Sequence, residues 1–381
     1  MECSSKMKLI VILIIFVDLT LAHYPIRGCG ARLLPRNFKQ CHSRRDSINC
    51  IPFPQLINLN WDTAQFGLRV LIGQLICNFL PKENELPSQV YFIVYQKKKL
   101  ARVVVASKML KNPHKYVRRS ARCIRFLIGG WATDCTIDPN DVPKEYNWLT
   151  YSAESLNCRT DCIVIIVYWG KISGNDYACL AGFMLKPLGE LIGRVIMKLG
   201  DPSIVSLSGH SLGAHIGGFA CRHVIRMGGR VKEMAAYDAA GPLIQDNECL
   251  WQVGLFECGM GKELAKRTIS INTNPRELGT GNMNLAQVNI LCNPPIYNQP
   301  GLTLTDPLYN HFFAGMLCAA MSAGTKCYAT DYPGINLNHY DNCEIPPGTY
   351  KLYTDKCFPF CCYEESTCSS PSSSTSSSSS S

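Results

Sequence analysis

Short apolar runs of four to eight residues alternate along this chain with longer stretches whose apolar positions recur every three or four residues. Val90 to Tyr95, Ala101 to Ala106, Ile124 to Ile128, Cys162 to Trp169, Ile204 to Leu207, Val231 to Tyr237 and Thr268 to Ile271 are rich in β-branched and aromatic residues and predict strands. Leu180 to Leu199, Leu212 to His223 and His311 to Met321 carry helical spacing, the second through Leu212, Ile216, Phe219 and Ala220. Strands alternating with helices predict an α/β fold: a mostly parallel central sheet with helices on both faces. Residues 23–89 show weak periodicity and form a cysteine-bearing N-terminal segment of unassigned fold. Residues 90–368 form the α/β domain, and residues 369–381, almost all serine, are too poor in apolar side chains to pack.

The first 22 residues add a compartment. Lys6 and Lys8, the apolar run Leu9 to Val17 and the exit Thr20-Leu21-Ala22 read as a cleaved secretory signal, because the run is too short to span a bilayer. Of the 21 cysteines, Cys3 leaves with the signal, and the remainder are dense and irregularly spaced, as disulfides in an oxidising compartment are. Their spacings do not suit a zinc site, and no metal or organic cofactor is called for. No N-glycosylation sequon is present.

The formal net charge of +9 is local. Lys97 to Arg125 holds eleven lysines and arginines and no acid, leaving about −2 for the rest of the chain. Such a stretch suits anionic head groups or acidic polysaccharide, or is simply a solvated face. A secreted chain without a recognition module does not predict nucleic-acid binding.

Gly209-His210-Ser211-Leu212-Gly213 sits between a strand and a helix, where a tight turn leaves little room beside the central serine and so asks for glycine two residues either way. A serine hydroxyl at neutral pH needs a histidine base oriented by a carboxylate. With the order Ser, acid, His expected of α/β hydrolases, only His311 and His339 lie beyond Ser211 with an acid ahead of them. His210 and His215 read as elbow and helix-face residues. Asp238, at the end of the strand Val231 to Tyr237, is the favoured acid, with Asp246 and Asp306 as weaker loop choices. Two backbone donors for an oxyanion are expected at Leu212 and, after the strand ending Phe126-Leu127-Ile128-Gly129-Gly130, at Trp131.

These residues resemble the pancreatic-lipase family, particularly its insect branch with secreted phospholipases A1. GHSLGAHIGGFA (Gly209 to Ala220) is similar to the family's elbow and following helix, AYDAAGP (Ala236 to Pro242) to its LDPAGP acid motif, and FLIGGW (Phe126 to Trp131) to its oxyanion strand. VYFIVYQKKK, ISINTN (Ile269 to Asn274) and GTYKLYTD (Gly348 to Asp355) fall in family order, so the resemblance covers roughly Val90 to Phe360. The family's CSHxRA corresponds to Tyr309-Asn310-His311-Phe312-Phe313-Ala314, which implies His311 as the base. Gly129 stands where the family has histidine and Ala239 where it has proline. The family's lid disulfide, from a QPGC segment to the cysteine before the histidine, has lost both partners at Leu302 and Tyr309, which implies a very short lid.

The resemblance implies an α/β-hydrolase fold without the C-terminal lipid-binding β-sandwich, no colipase partner, and a secreted serine esterase acting on lipids at a membrane or micelle interface. It favours the sn-1 ester of phospholipids. The implied site is Ser211, Asp238 and His311, with the N–H groups of Leu212 and Trp131. A triacylglycerol or galactolipid lipase, and a catalytically silent homologue with a binding or storage role, are the alternatives.

Overall fold

A computed structural model describes residues 80–96, 101–131, 148–173, 177–244, 257–275, 277–282, 284–300, 307–341 and 344–355, together with Cys77, Asn175, Phe360 and Cys361. The expected signal, most of the N-terminal segment, the serine-rich tail, the shortened lid and the loop aspartates Asp246 and Asp306 lie outside the described residues.

Among the described residues nine strands form one sheet: β1 (Tyr91–Tyr95), β2 (Arg102–Val105), β3 (Ile124–Ile128), β4 (Ile163–Tyr168), β5 (Val205–His210), β6 (Val231–Tyr237), β7 (Ala265–Asn272), β8 (Val288–Cys292) and β9 (Gly348–Leu352). Their spatial order is β2-β1-β4-β3-β5-β6-β7-β8-β9. β1 is antiparallel to both its neighbours, and every other pair is parallel. Four long helices cover it: α1 (Trp148–Arg159), α2 (Leu185–Leu199), α3 (Leu212–Arg226) and α4 (Pro307–Ser322). This is the α/β-hydrolase architecture, with each parallel strand delivering its carboxyl end to one rim.

The period of two in the strands decides which core each side chain enters. In β3, Ile124, Phe126 and Ile128 join Phe92, Leu207 and Met234 beneath α2 and α3, while Leu127 points the other way to join Ile166, Ala235 and Ile271 beneath α1 and α4. β3, β4 and β5 are buried throughout, as strands covered on both faces must be. The core begins before Val90, because Leu80 and Leu86 belong to it and Cys77 is disulfide-bonded to Cys179.

Cys123–Cys162 joins the entries to β3 and β4, and Cys327–Cys361 ties the chain after α4 to the segment after β9. The disulfide expectation is corrected in part: Cys221, Cys258, Cys292 and Cys318 are buried thiols. They pack as small hydrophobes, and burial pushes the Cys221 thiol up to about 12. No helix among the described residues is long and apolar enough to cross a membrane.

The arginines of the basic stretch lie away from the rim where the parallel strands end, whereas exposed Lys108 follows β2, whose last residue is level with the carboxyl end of β4. Arg102 opens β2, and Arg118 lies beside the entry to β4, where it pairs with Asp161 at 2.9 Å. Arg119 and Arg122 are exposed next to it, and Arg125 is buried with its guanidinium over the Tyr340 ring. Lys97 to Lys99 lie outside the described residues.

Candidate active site

β5 ends in a turn that places Ser211 at φ 56° and ψ −126°, conformational space that L side chains rarely occupy, and α3 begins at the next residue. Both flanking glycines are required sterically. A Cβ on Gly209 would lie 2.3 Å from the Gly213 carbonyl oxygen, and one on Gly213 would lie 2.4 Å from that of Ile128. The elbow therefore closes on itself and on the end of β3 at once. The end of β3 passes close by the serine, because a Cβ on Gly130 would stand 2.7 Å from Ser211 Cβ.

Ser211 and His311 line one cleft, walled by the apolar surfaces of Trp131, Tyr177, Pro242 and Phe312. Asp238 follows β6, is itself at positive φ (46°), and is fully buried behind the histidine. Its Oδ2 accepts from His311 Nδ1–H at 2.6 Å, and its Oδ1 accepts the N–H groups of Thr273 and Asn274 at 2.8 and 2.9 Å. Gly279 leaves room for that carboxylate, since a Cβ there would lie 2.6 Å from Oδ1. With Nδ1–H engaged by the carboxylate, Nε2 is the basic nitrogen of His311, and the ring shares the cleft with Ser211.

Leu212 opens α3, so its N–H is among the first four, which have no acceptor within the helix. Trp131 follows the end of β3 and shares the cleft wall. Its indole Nε1–H donates to the Asn175 carbonyl at 2.8 Å, and its ring meets Tyr177 edge-on.

The other histidines have different work. His210 is buried beside the His311 ring, 4.8 Å between centroids, and its Nε2–H donates to the His311 carbonyl at 3.0 Å. Burial, helped by the neighbouring His311, pushes its pKa down to about 3, so it stays neutral next to the base. His215 donates from Nε2 to the Ala240 carbonyl at 2.7 Å and accepts the Gly259 N–H at Nδ1, fastening α3 to the loop after the acid. Its pKa is about 4, again through burial.

His339 is not brought to the cleft. It is fully buried, with Nδ1–H donating to Glu233 Oε1 at 2.8 Å and Nε2 accepting the Tyr237 hydroxyl at 2.7 Å. Glu233 also pairs with Arg267 and lies 3.8 Å from Arg125. Burial opposes its charge, yet His339 and the two arginines lower the Glu233 carboxyl to about 2, while burial pushes the pKa of His339 down against the pull of Glu233. This charged cluster and the grip of Thr273 and Asn274 on Asp238 carry no local sequence signal, since both join residues far apart in the chain.

The lipase family profile matches residues 77–253, which include Ser211 and Asp238. A phospholipase A1 of Vespa crabro is 37% identical over 166 residues, covering 40% of this chain and 52% of the relative. Probable phospholipase A1 magnifin of Vespa magnifica is 25% identical over 281 residues, covering 68% and 74%. Hepatic triacylglycerol lipase of Bos taurus is 27% identical over 124 residues, covering 31% and 23%. The chain spans about half the length of several phospholipase A1 relatives it matches. An arylesterase structure aligns over 76% of this chain and 82% of its own at a TM-score of 0.26 and 12% identity. The resemblance to the pancreatic-lipase family and its insect phospholipases A1 holds in these comparisons.

Proposed function

Because residues 77–253 match the lipase family, we propose that this chain is an extracellular serine hydrolase of lipid carboxylic esters that cleaves the sn-1 ester of phospholipids. The observation that carries this reading is a serine held at positive φ in a cleft it shares with a histidine whose other nitrogen is bonded to a buried aspartate.

Ser211 Oγ attacks the acyl carbonyl while His311 Nε2 takes its proton, and Asp238 holds the ring and balances the imidazolium. The tetrahedral oxyanion is received by the N–H groups of Leu212 and Trp131. Collapse of the intermediate returns the proton from His311 to the departing alcohol, leaving an acyl-serine that water, activated by the same histidine, hydrolyses. A neutral His210 serves this cycle, because a second cation 4.8 Å away would oppose the imidazolium. The apolar walls suit an acyl chain, and disulfides such as Cys77–Cys179, Cys123–Cys162 and Cys327–Cys361 suit an oxidising, extracellular compartment. The phospholipases A1 of the vespids support phospholipid over triglyceride.

A fluorophosphonate probe is expected to label wild-type protein and not Ser211→Ala, which should lose several orders of magnitude in turnover while remaining folded. Labelling of the alanine variant, or its undiminished hydrolysis of phosphatidylcholine, would refute the assignment. Faster cleavage of triglyceride than of phospholipid in a head-group panel would move the substrate to the triacylglycerol class.

A further inference from the structure

Three buried amide side chains connect the acid to the histidine by a route separate from their direct hydrogen bond. Asn274 is 3% exposed, Gln299 1% and Asn310 4%. Burying amides in a core is unfavourable unless their hydrogen bonds are satisfied. The backbone N–H of Asn274 binds Asp238 Oδ1 at 2.9 Å, while its side-chain Nδ2 donates to the Pro307 carbonyl at 2.7 Å. Pro307 is the first residue of α4, the helix that carries His311. Gln299 Nε2 donates to the Thr273 carbonyl at 2.9 Å, and Thr273 is the other residue whose N–H grips Asp238. The backbone N–H of Gln299 donates to Asn310 Oδ1 at 2.9 Å, one residue before the histidine. Gln299 Oε1 is in turn fixed by Asn293 Nδ2 at 2.9 Å and the Thr354 hydroxyl at 3.3 Å, at the ends of β8 and β9.

The two residues whose N–H groups hold the carboxylate are therefore also tied to the first turn of the histidine helix, Asn274 directly through its side chain and Thr273 through Gln299. Positions 307 and 310 are three residues apart and lie on one face of that turn. Bonds at both fix the axial slide and the rotation of α4, and together those two freedoms determine where the His311 ring points. We infer that Asn274, Gln299 and Asn310 form a polar clasp whose role is to position His311 against Asp238 and Ser211. This rests on the hydrolase reading above, and none of the three side chains lines the cleft described there.

The test pairs kinetics with a readout that does not need turnover. Wild type, Asn274→Ala, Asn310→Ala and Asn310→Asp are assayed on a soluble p-nitrophenyl ester, each on the alkaline plateau of its own pH–rate profile. The low-field proton NMR signal of the His311–Asp238 hydrogen bond is recorded for each, and thermal melting reports folding. Asn274→Ala keeps both N–H donors to Asp238 and loses only the tie to the helix. It and Asn310→Ala are expected to lose on the order of tenfold to a hundredfold in kcat with KM within about twofold, and to lose or broaden the low-field signal. Asn310→Asp keeps the acceptor for the Gln299 N–H while giving up the Nδ2 bond to Asn298 Oδ1, and is expected to recover part of the kcat lost in Asn310→Ala.

Folded alanine variants with wild-type kcat and an unchanged low-field signal would overturn the clasp, as would an aspartate variant no better than the alanine. Should Asn274→Ala fail to fold, the two Asn310 variants decide. If wild type hydrolyses no ester, the hydrolase reading falls, and the low-field signal still decides whether the clasp holds the pair together.

Discussion

At the scale of single residues, the histidines separate by what their nitrogens face. His311 turns one nitrogen to a carboxylate and shares the cleft with the serine, whereas both nitrogens of His339 are engaged, by Glu233 and Tyr237. His311→Ala is expected to abolish ester hydrolysis, and His339→Ala to lower stability while folded protein keeps its turnover; the opposite pattern in matched preparations would reverse the assignment. Buried histidines also set the acid limit of the fold. The pKa values of His210 and His215 fall to about 3 and about 4 on folding, and that of His339 is lowered too, against about 6.5 in the unfolded chain. Between roughly pH 6.5 and 4 the unfolded chain thus binds more protons than the folded one. Their contribution to stability is complete above that window and declines as pH falls through it, by up to about 1.4 kcal/mol per group per pH unit. Melting temperatures measured from pH 7 to 4 should drop steeply below pH 6, and a flat profile would show that these rings are charged or exposed.

At the scale of elements, the elbow is the least forgiving joint. Gly213→Ala would drive a methyl group into the end of β3, and since overpacking of this kind costs about 1–3 kcal/mol, both stability and turnover should fall. A Gly213→Ala protein with unchanged melting and activity would mean that the turn can open. This joint was readable in advance because its chemistry is local: strand, five residues and helix are contiguous, and their steric demands appear as glycines at fixed spacing. The strands Ile124–Ile128 and Val231–Tyr237 were equally plain, each being mostly apolar despite Arg125 in the first and Lys232 and Glu233 in the second. β8 and α1 escaped. β8 is interrupted by Asn289, whose Nδ2 donates to the Ala286 carbonyl, and α1 mixes Thr150, Ser152 and Asn157 among its buried residues. Their burial is set by α4 and the sheet, partners far away in sequence. Asn274 and Gln299 were invisible as positioning residues for the same reason, although ISINTN was noticed as a motif: a polar residue announces its partner only once the chain has folded.

At the scale of the whole molecule, the arginines of the basic stretch and the chemistry occupy opposite ends of the sheet. Ser211, Asp238 and Trp131 follow the carboxyl ends of parallel strands, while Arg102, Arg118, Arg119 and Arg122 cluster where strands begin or the antiparallel hairpin turns. A six-residue strand separates those levels by on the order of 20 Å, two Debye lengths or more at physiological salt. An anionic surface held by those arginines therefore lies at the end of the sheet away from the cleft. A molecule moored by its arginines would hold its mouth toward the bulk solution, so mooring and turnover become rival orientations of one body. Binding to anionic vesicles should weaken with added salt, while hydrolysis of the same lipid, expressed per bound molecule, should rise as the wrong-way-up population lets go. Measured together, the two curves should cross rather than fall in parallel, which makes ionic strength a control over which way this protein faces.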